Sequence, residues 1–287
     1  MDIFFQLLLN GIVIGSYYIL IALGLSIIFG VLDIPHFAHG SVAMFSGYIA
    51  YLVVSNYNAS IFVAIIVSII FATIIGVILE IVAYRPVVNA PPINSFIIAL
   101  ALMMVIDNVA TVVFGSNQVS IRSASNEVFS LGSVSLSEHR LYLLLTTFIL
   151  VTGLYLFMKY SKTGKAIRAV SQNKEAAQVV GINTNRISSI VFGLGSGMAG
   201  AAGAFMGILF ALYPAMGGHT VMKGFAVLIL GGLGSFPGTV IGGLLIGITE
   251  NFGVAMLSSS YKDLFAFVIL IIVLVFKPSG LFGNRGL

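Results

Sequence analysis

Long apolar runs separated by short polar intervals set the pattern of this chain, and the runs have the length of membrane-crossing helices. A crossing needs about 20 mostly apolar residues, and the candidate blocks lie at roughly 5–30, 38–54, 60–83, 95–114, 141–158, 187–212, 224–249 and 263–276. Two stretches are interrupted by turn formers where a span should be continuous: IFGVLDIPHFAHGSVAMFSGY around residues 28–48 and LILGGLGSFPGTVIGGLLIG around residues 228–247. Each interruption is a glycine-bearing turn with one proline, followed by a Gly/Ser-rich helix start, which gives the chain a weak internal symmetry. Non-helical backbone at membrane depth is tolerated only when it is buried in protein or lines a watery cavity, and paired interruptions of this kind mark a solute path. The alternative for each is a tight turn between ordinary spans at the membrane surface. The pattern predicts an all-α, polytopic membrane helix bundle of eight or nine spans with broken helices, built as one domain over residues 1–287.

The polar intervals then orient the bundle. Residues 159–186, KYSKTGKAIRAVSQNKEAAQVVGINTNR, hold Lys159, Lys162, Lys165, Arg168, Lys174 and Arg186 against the single acid Glu175, so six of the chain's thirteen basic residues lie in this island. Positive charge is retained on the cytoplasmic side, which places residues 159–186 and the Lys277–Arg285 tail in the cytoplasm and the interval 115–140 outside. That outer interval, GSNQVSIRSASNEVFSLGSVSLSEHR, balances two positive against two negative side chains, and its Val/Ser/Ile alternation predicts a short β-hairpin. Such a hairpin either touches a soluble extracytoplasmic protein or simply connects two spans. Within the island, Asn173 precedes KEAAQVV and Gly181 follows it, supplying an N-cap, an acid in the first turn and a C-terminal glycine. A helix so short is marginal by itself. Contact with the bundle or with a partner must hold it, and Ala176, Ala177, Val179 and Val180 are its apolar residues. The preceding TGKAIRAVS reads as a continuation of the fifth span.

Composition narrows the class. With 59% hydrophobic and 8% charged residues the chain lies far from soluble globular proteins, and its formal charge of +4 is explained by membrane orientation and not by nucleic acid. The first apolar stretch lacks a basic leader and is too long for a cleaved signal, so it is expected to remain as a span. The absence of cysteine excludes disulfides, thiolate metal sites and thiol catalysis, and the four histidines show no metal-ligand spacing. No catalytic set and no cofactor site emerges. GGLGS at 231–235 lies in an apolar run and not in a phosphate-binding strand-to-helix loop, so the chain cannot hydrolyse ATP by the P-loop mechanism.

Ionisable residues inside apolar blocks are functional candidates by default. Glu80 lies five residues before Arg85 and is expected to pair with it near a membrane surface. Asp107 and Glu250 are deeper, each followed by an asparagine, and serve either helix packing or solute contact. His36 and His39 flank Phe37 and Ala38 in the first break, where they cap a helix, line a cavity or recognise a solute. Together with the turn glycines, this makes His36, His39, Gly40, Gly231, Gly232, Gly234 and Glu250 the candidate solute path. Gly195, Ala199, Gly203 and Gly207 recur every four residues and form a smooth stripe for close helix packing, a pattern that Gly238/Gly242 and Gly243/Gly247 repeat.

Five segments, in order along nearly the whole chain, resemble the membrane permease subunit of ABC importers for branched-chain amino acids. They are LLLNGIVIGSYYILIALGLSIIFGVLDIPHFAHGSVAMFSGY, GKAIRAVSQNKEAAQVVGINTNRIS, GLGSGMAGAAGAFMG, FAVLILGGLGSFPGTVIGGLLIG and KPSGLFG. The chain departs from that pattern at His36, where the resemblance leads one to expect asparagine. The resemblance implies that residues 159–186 form a coupling loop seated in a cleft of an ATP-binding subunit, with Lys165, Arg168, Asn173, Lys174, Glu175, Ala176, Ala177 and Gly181 at the contact. It implies two ATP-binding subunits carrying ATP and magnesium, a second and longer permease, and an extracytoplasmic substrate-binding protein. The resemblance also implies a bacterial plasma membrane as the setting, with leucine, isoleucine or valine moved inward. Two other readings share these features: the same machinery carrying urea, short amides or another small solute, and an ion-coupled secondary transporter using Glu250 or Asp107.

Overall fold

Helix α1 (Asp2–Leu32) sets the frame, because its 31 residues span roughly 46 Å at 1.5 Å per residue. From Val13 to Ile28 it is apolar nearly all round and buried nearly all round, as a helix at the centre of a bundle must be. The computed structural model describes residues 2–88, 90–121, 127–131, 134–258 and 261–283. Around α1 lie α2 (Ala38–Tyr57), α3 (Ile61–Leu79), α4 (Pro92–Phe114), α5 (Glu138–Tyr160), α8 (Thr184–Leu209), α9 (Met216–Gly231), α10 (Phe236–Met256) and α11 (Lys262–Phe276). Seven of these are long and apolar enough to cross a membrane, α3 doing so together with its extension to Val87, while α9 and α11 are shorter apolar helices of 16 and 15 residues. The helical bundle expected from the hydropathy pattern is therefore present.

Two short helices, α6 (Lys162–Gln172) and α7 (Lys174–Val179), sit together at one end, here called the island end. The opposite end carries the hairpin of β1 (Val128–Leu131) and β2 (Val134–Ser137), antiparallel with Val128 opposite Ser137 and Leu131 opposite Val134. Arg122 and its neighbours to 126, and Arg285 in the tail, lie outside the described residues. Gln6 clamps β2 to α1 through both sides of its amide, donating to the Ser135 carbonyl at 3.0 Å and accepting from the Ser135 N–H at 2.8 Å. The first helix thus begins at the hairpin end and runs to the island end.

The two interruptions turn out to be different in kind. After Leu32 the backbone leaves the helix at Asp33, whose φ is positive, and re-enters the bundle as an extended strap with Ile34 and His36 buried. Helix α2 then starts against the middle of α1, where a nitrogen of His39 lies 3.2 Å from the Ile21 carbonyl oxygen. Ile21 stands roughly 16 Å back from the end of α1 at 1.5 Å per residue, so this is a break inside the bundle. Gly232–Ser235, by contrast, is a turn at the island end, with Leu233 and Gly234 exposed. Its neighbouring backbone is covered by the C-terminal segment, where Leu281 and Phe282 donate to the carbonyls of Leu230 and Gly231. The surface turn is the alternative that prevails there.

A break at depth that the turn formers did not reveal lies at residues 210–215. Leu212 pairs with Val119 in a single antiparallel bridge, and the chain then drops to Met216, where α9 begins beside the first turn of α2. A Cβ on Gly40 would overlap the Gly217 carbonyl oxygen, so glycine at 40 is what lets these two helix starts touch. The small-residue stripe on α8 does the packing predicted for it: Gly195 meets the Gly24 backbone and Gly203 that of Ala43, while Gly207 meets Ile121 and Leu212. Gly247 and Gly243 of α10 meet Gly15 of α1 in the same way. The lipid-side helices α3, α4 and α5 keep large apolar side chains such as Ile66, Val112 and Phe148 outward.

Candidate functional site

At the island end the predicted short helix forms as its sequence requires. Asn173 accepts from the Ala176 N–H at 2.8 Å, Glu175 sits in the first turn, and Gly181 takes a φ of 86° that closes α7 with an Ile182 N–H bond to the Ala177 carbonyl. Helix α6 is not a continuation of α5. Ser161 is extended, and its hydroxyl caps a new helix by accepting from the Gly164 N–H at 2.8 Å, while Gly164 packs on the Phe157 and Met158 backbone. The chain therefore folds back under the bundle and buries Ile167 and Val170. Lys165, Arg168, Lys174, Glu175 and Ala176 are exposed, whereas Ala177 faces inward. Val179 and Val180 are 87% and 75% exposed, a pair of apolar side chains left uncovered at the tip of the island.

Beneath this tip lies an ion pair that the Glu80/Arg85 spacing anticipates. Glu80 opens a π-helical turn, Glu80–Tyr84, and receives Arg85 through Nε at 3.1 Å and Nη2 at 2.6 Å. Ser189 of α8 donates to the same carboxylate at 2.8 Å, which joins α3 to α8. Lys174, Thr184 and Arg85 line one small hollow, so the latch lies directly against the start of α7. The next residue inward, Tyr84, is bonded through its hydroxyl to Nδ1 of His36 at 2.7 Å. A continuous run of contacts thus links the island to the first break.

His36 and His39 are both fully buried, with rings 5.6 Å apart, and His36 also packs edge-on against Tyr84 and Phe192. Gly40 follows at the meeting point of α2 and α9. The remaining candidates for the solute path lie elsewhere. Gly231 and Gly232 are buried in the α9–α10 turn, and Gly234 lines a hollow of about 440 Å³ with Lys159 and Arg168 at the island end. Glu250 stands toward the other end of the bundle, completely buried, receiving Tyr18 at 2.5 Å and Lys223 at 2.6 Å. The predicted set is thus divided among three levels. Asp107 is half-buried on α4, and Asn251 donates to the Leu7 carbonyl at 2.6 Å.

Sequence reasoning passed over the partners of Glu250. Lys223 is the one Lys, Arg, Asp or Glu of α9; it bonds Glu250 and the Tyr18 hydroxyl at 3.0 Å and forms an ion pair with Asp263 at 2.8 Å. A lone cation in an apolar run needs an anion within reach, and that rule applied to Lys223 would have pointed to Glu250. Beside these groups is a chamber of about 490 Å³, within the range of ligand pockets. Its floor is the first turn of α9, and its walls carry Tyr17, Phe210, Lys262 and Asp263. No group of three or more His, Asp or Glu among the described residues has the arrangement of a metal site.

Comparison with known protein sequences gives the family of the chain. The family described as "Branched-chain amino acid transport system / permease component" matches residues 7–274. The chain is 34% identical to the high-affinity branched-chain amino acid transport system permease protein LivH of Salmonella typhimurium, over 98% of this chain and 96% of that protein. It is 33% identical both to LivH of Escherichia coli K12 and to the permease protein BraD of Pseudomonas aeruginosa, with the same coverage. No solved structure matches it significantly. A match across nearly the full length, on a bundle with a capped basic island at one end, places this chain in the family of permease components of branched-chain amino acid transport systems.

Proposed function

We propose that this chain is the membrane-spanning permease subunit of an ABC importer that moves leucine, isoleucine and valine into the cell, driven by ATP hydrolysis on partner subunits. It is a multi-pass inner-membrane protein. The observation that carries the coupling part of the reading is α7, a capped helix with Val179 and Val180 uncovered in a basic surround. On this reading the island faces the cytoplasm and α6–α7 seats in a cleft of an ATP-binding subunit. The hairpin end faces outward, toward a soluble binding protein, and a second, longer permease completes the pore. ATP and magnesium belong to the partners; this chain supplies the path and the lever. Closing of the ATP-binding pair would push on α7 and reach the first break through Arg85, Glu80, Tyr84 and His36.

Affinity purification of the chain from gently solubilised membranes is expected to recover a P-loop ATPase in stoichiometric amount. Its absence under conditions that keep the chain folded would overturn the reading. Glu175→Lys and Gly181→Val are expected to abolish leucine uptake while the chain stays inserted, and normal uptake by both would contradict the docking role.

A further inference from the structure

The chamber under the hairpin end stands beside four charges that join α9, α10 and α11. Of its two lysines, Lys223 is well engaged: its ammonium bonds Glu250 at 2.6 Å and the Tyr18 hydroxyl at 3.0 Å and forms an ion pair with Asp263 at 2.8 Å. Lys262 is different. Its nearest carboxylate oxygen, on Glu250, is 3.9 Å away, beyond a hydrogen bond, and its ammonium stands 5.3 Å above the ring of Phe210. Asp263 pairs with Lys223 through Oδ1 at 2.8 Å, and its side chain is 59% exposed. The four charges sum to zero, and Lys262 and the partly exposed Asp263 both line the chamber, with an aromatic wall of Tyr17 and Phe210 beside them.

That is the complement of a zwitterion with an apolar tail. We propose that this chamber receives the amino acid in transit, Lys262 bonding its α-carboxylate, Asp263 its α-ammonium, and the aromatic wall its side chain. Glu250 does not touch the ligand; it is a positioning residue that fixes Lys223 and, through it, Asp263. The first turn of α9 forms the floor and is packed on α2 where Gly40 meets Gly217, so that a bound ligand waits above the meeting of these two helix starts. The identity of the cargo rests on the importer reading given above, but the chemistry of the chamber can be tested apart from it.

The chain contains no cysteine, which gives a clean background for chemical protection. Gln118→Cys places a single thiol on the chamber wall. In the purified transporter complex, its modification by a charged thiosulfonate, followed on the permease band, is expected to slow in millimolar leucine. Isoamylamine, which lacks the carboxylate, and 4-methylvaleric acid, which lacks the ammonium, should protect poorly. Adding Lys262→Gln should weaken protection by roughly tenfold, the value of one charge-assisted hydrogen bond, and Lys262→Arg should restore most of it. Equal modification rates with and without leucine would overturn the proposal, as would a Lys262→Arg variant as unprotected as Lys262→Gln in an intact complex. Leucine uptake after the same complex is reconstituted into vesicles separates the two readings. Protection without ATP-driven uptake removes the importer and keeps the chamber, and uptake without protection does the reverse.

Discussion

Glu250 shows at the scale of one residue why charge survives inside this bundle. A carboxylate removed from water costs several kcal/mol unless it is paired and bonded, and Glu250 is fully buried against Tyr18 and Lys223. Glu250→Leu leaves the partly buried Lys223 without its nearest anion, so it is expected to lower stability by about 3 kcal/mol or more. Chemical unfolding of the solubilised chain checks this, and a change below about 1 kcal/mol would refute it. Tyr84→Phe is a gentler test. It removes the 2.7 Å bond to His36 and keeps the ring packing, so the expected loss is about 1 kcal/mol. Gly40→Ala should be worse than its single methyl suggests, because the Cβ meets the Gly217 carbonyl and forces α2 from α9.

At the scale of elements, what could be read from the chain depended on whether the cause was local. Helix α7 was legible because Asn173, Glu175 and Gly181 act within one or two turns, and the Glu80/Arg85 pair because five residues separate its members. The end of α8 was legible as the gap between the blocks 187–212 and 224–249, but its depth in the bundle was not, because the pairing of Leu212 with Val119 joins segments nearly a hundred residues apart. The turn at 232–235 left two readings open, and the structure takes the second: its glycines serve a surface turn beneath Leu281 and Phe282 and not a break at depth. The start of α6 likewise depended on Ser161 choosing an extended backbone so as to cap Gly164. One consequence belongs to α7. On the proposed docking, Val180→Asp places a charge on the exposed apolar tip and is expected to reduce recovery of the ATP-binding partner severalfold without changing the amount of inserted chain. Asn173→Ala, which loses a cap of about 1 kcal/mol, should act in the same direction and more weakly. Unchanged recovery for Val180→Asp would remove α7 from the interface.

The whole molecule brings these levels into one line. The chamber lies toward the hairpin end, the α2 and α9 starts meet beneath it, the buried His36 and Tyr84 come next, and the Glu80–Arg85–Ser189 latch rests against the island. Glu80→Gln weakens the latch while retaining its shape, and is expected to lower uptake more than ATP hydrolysis by the assembled transporter, a loss of coupling measured as leucine imported per ATP. An unchanged ratio would place the latch in stability alone. The central claim is that this bundle carries branched-chain amino acids because a partner hydrolyses ATP at its island end. Proteoliposomes holding the complete complex, with binding protein and labelled leucine at the hairpin side and ATP at the island side, test it directly. Leucine should accumulate only when ATP is present and should persist in a protonophore; accumulation without ATP that collapses on adding the protonophore would contradict the claim.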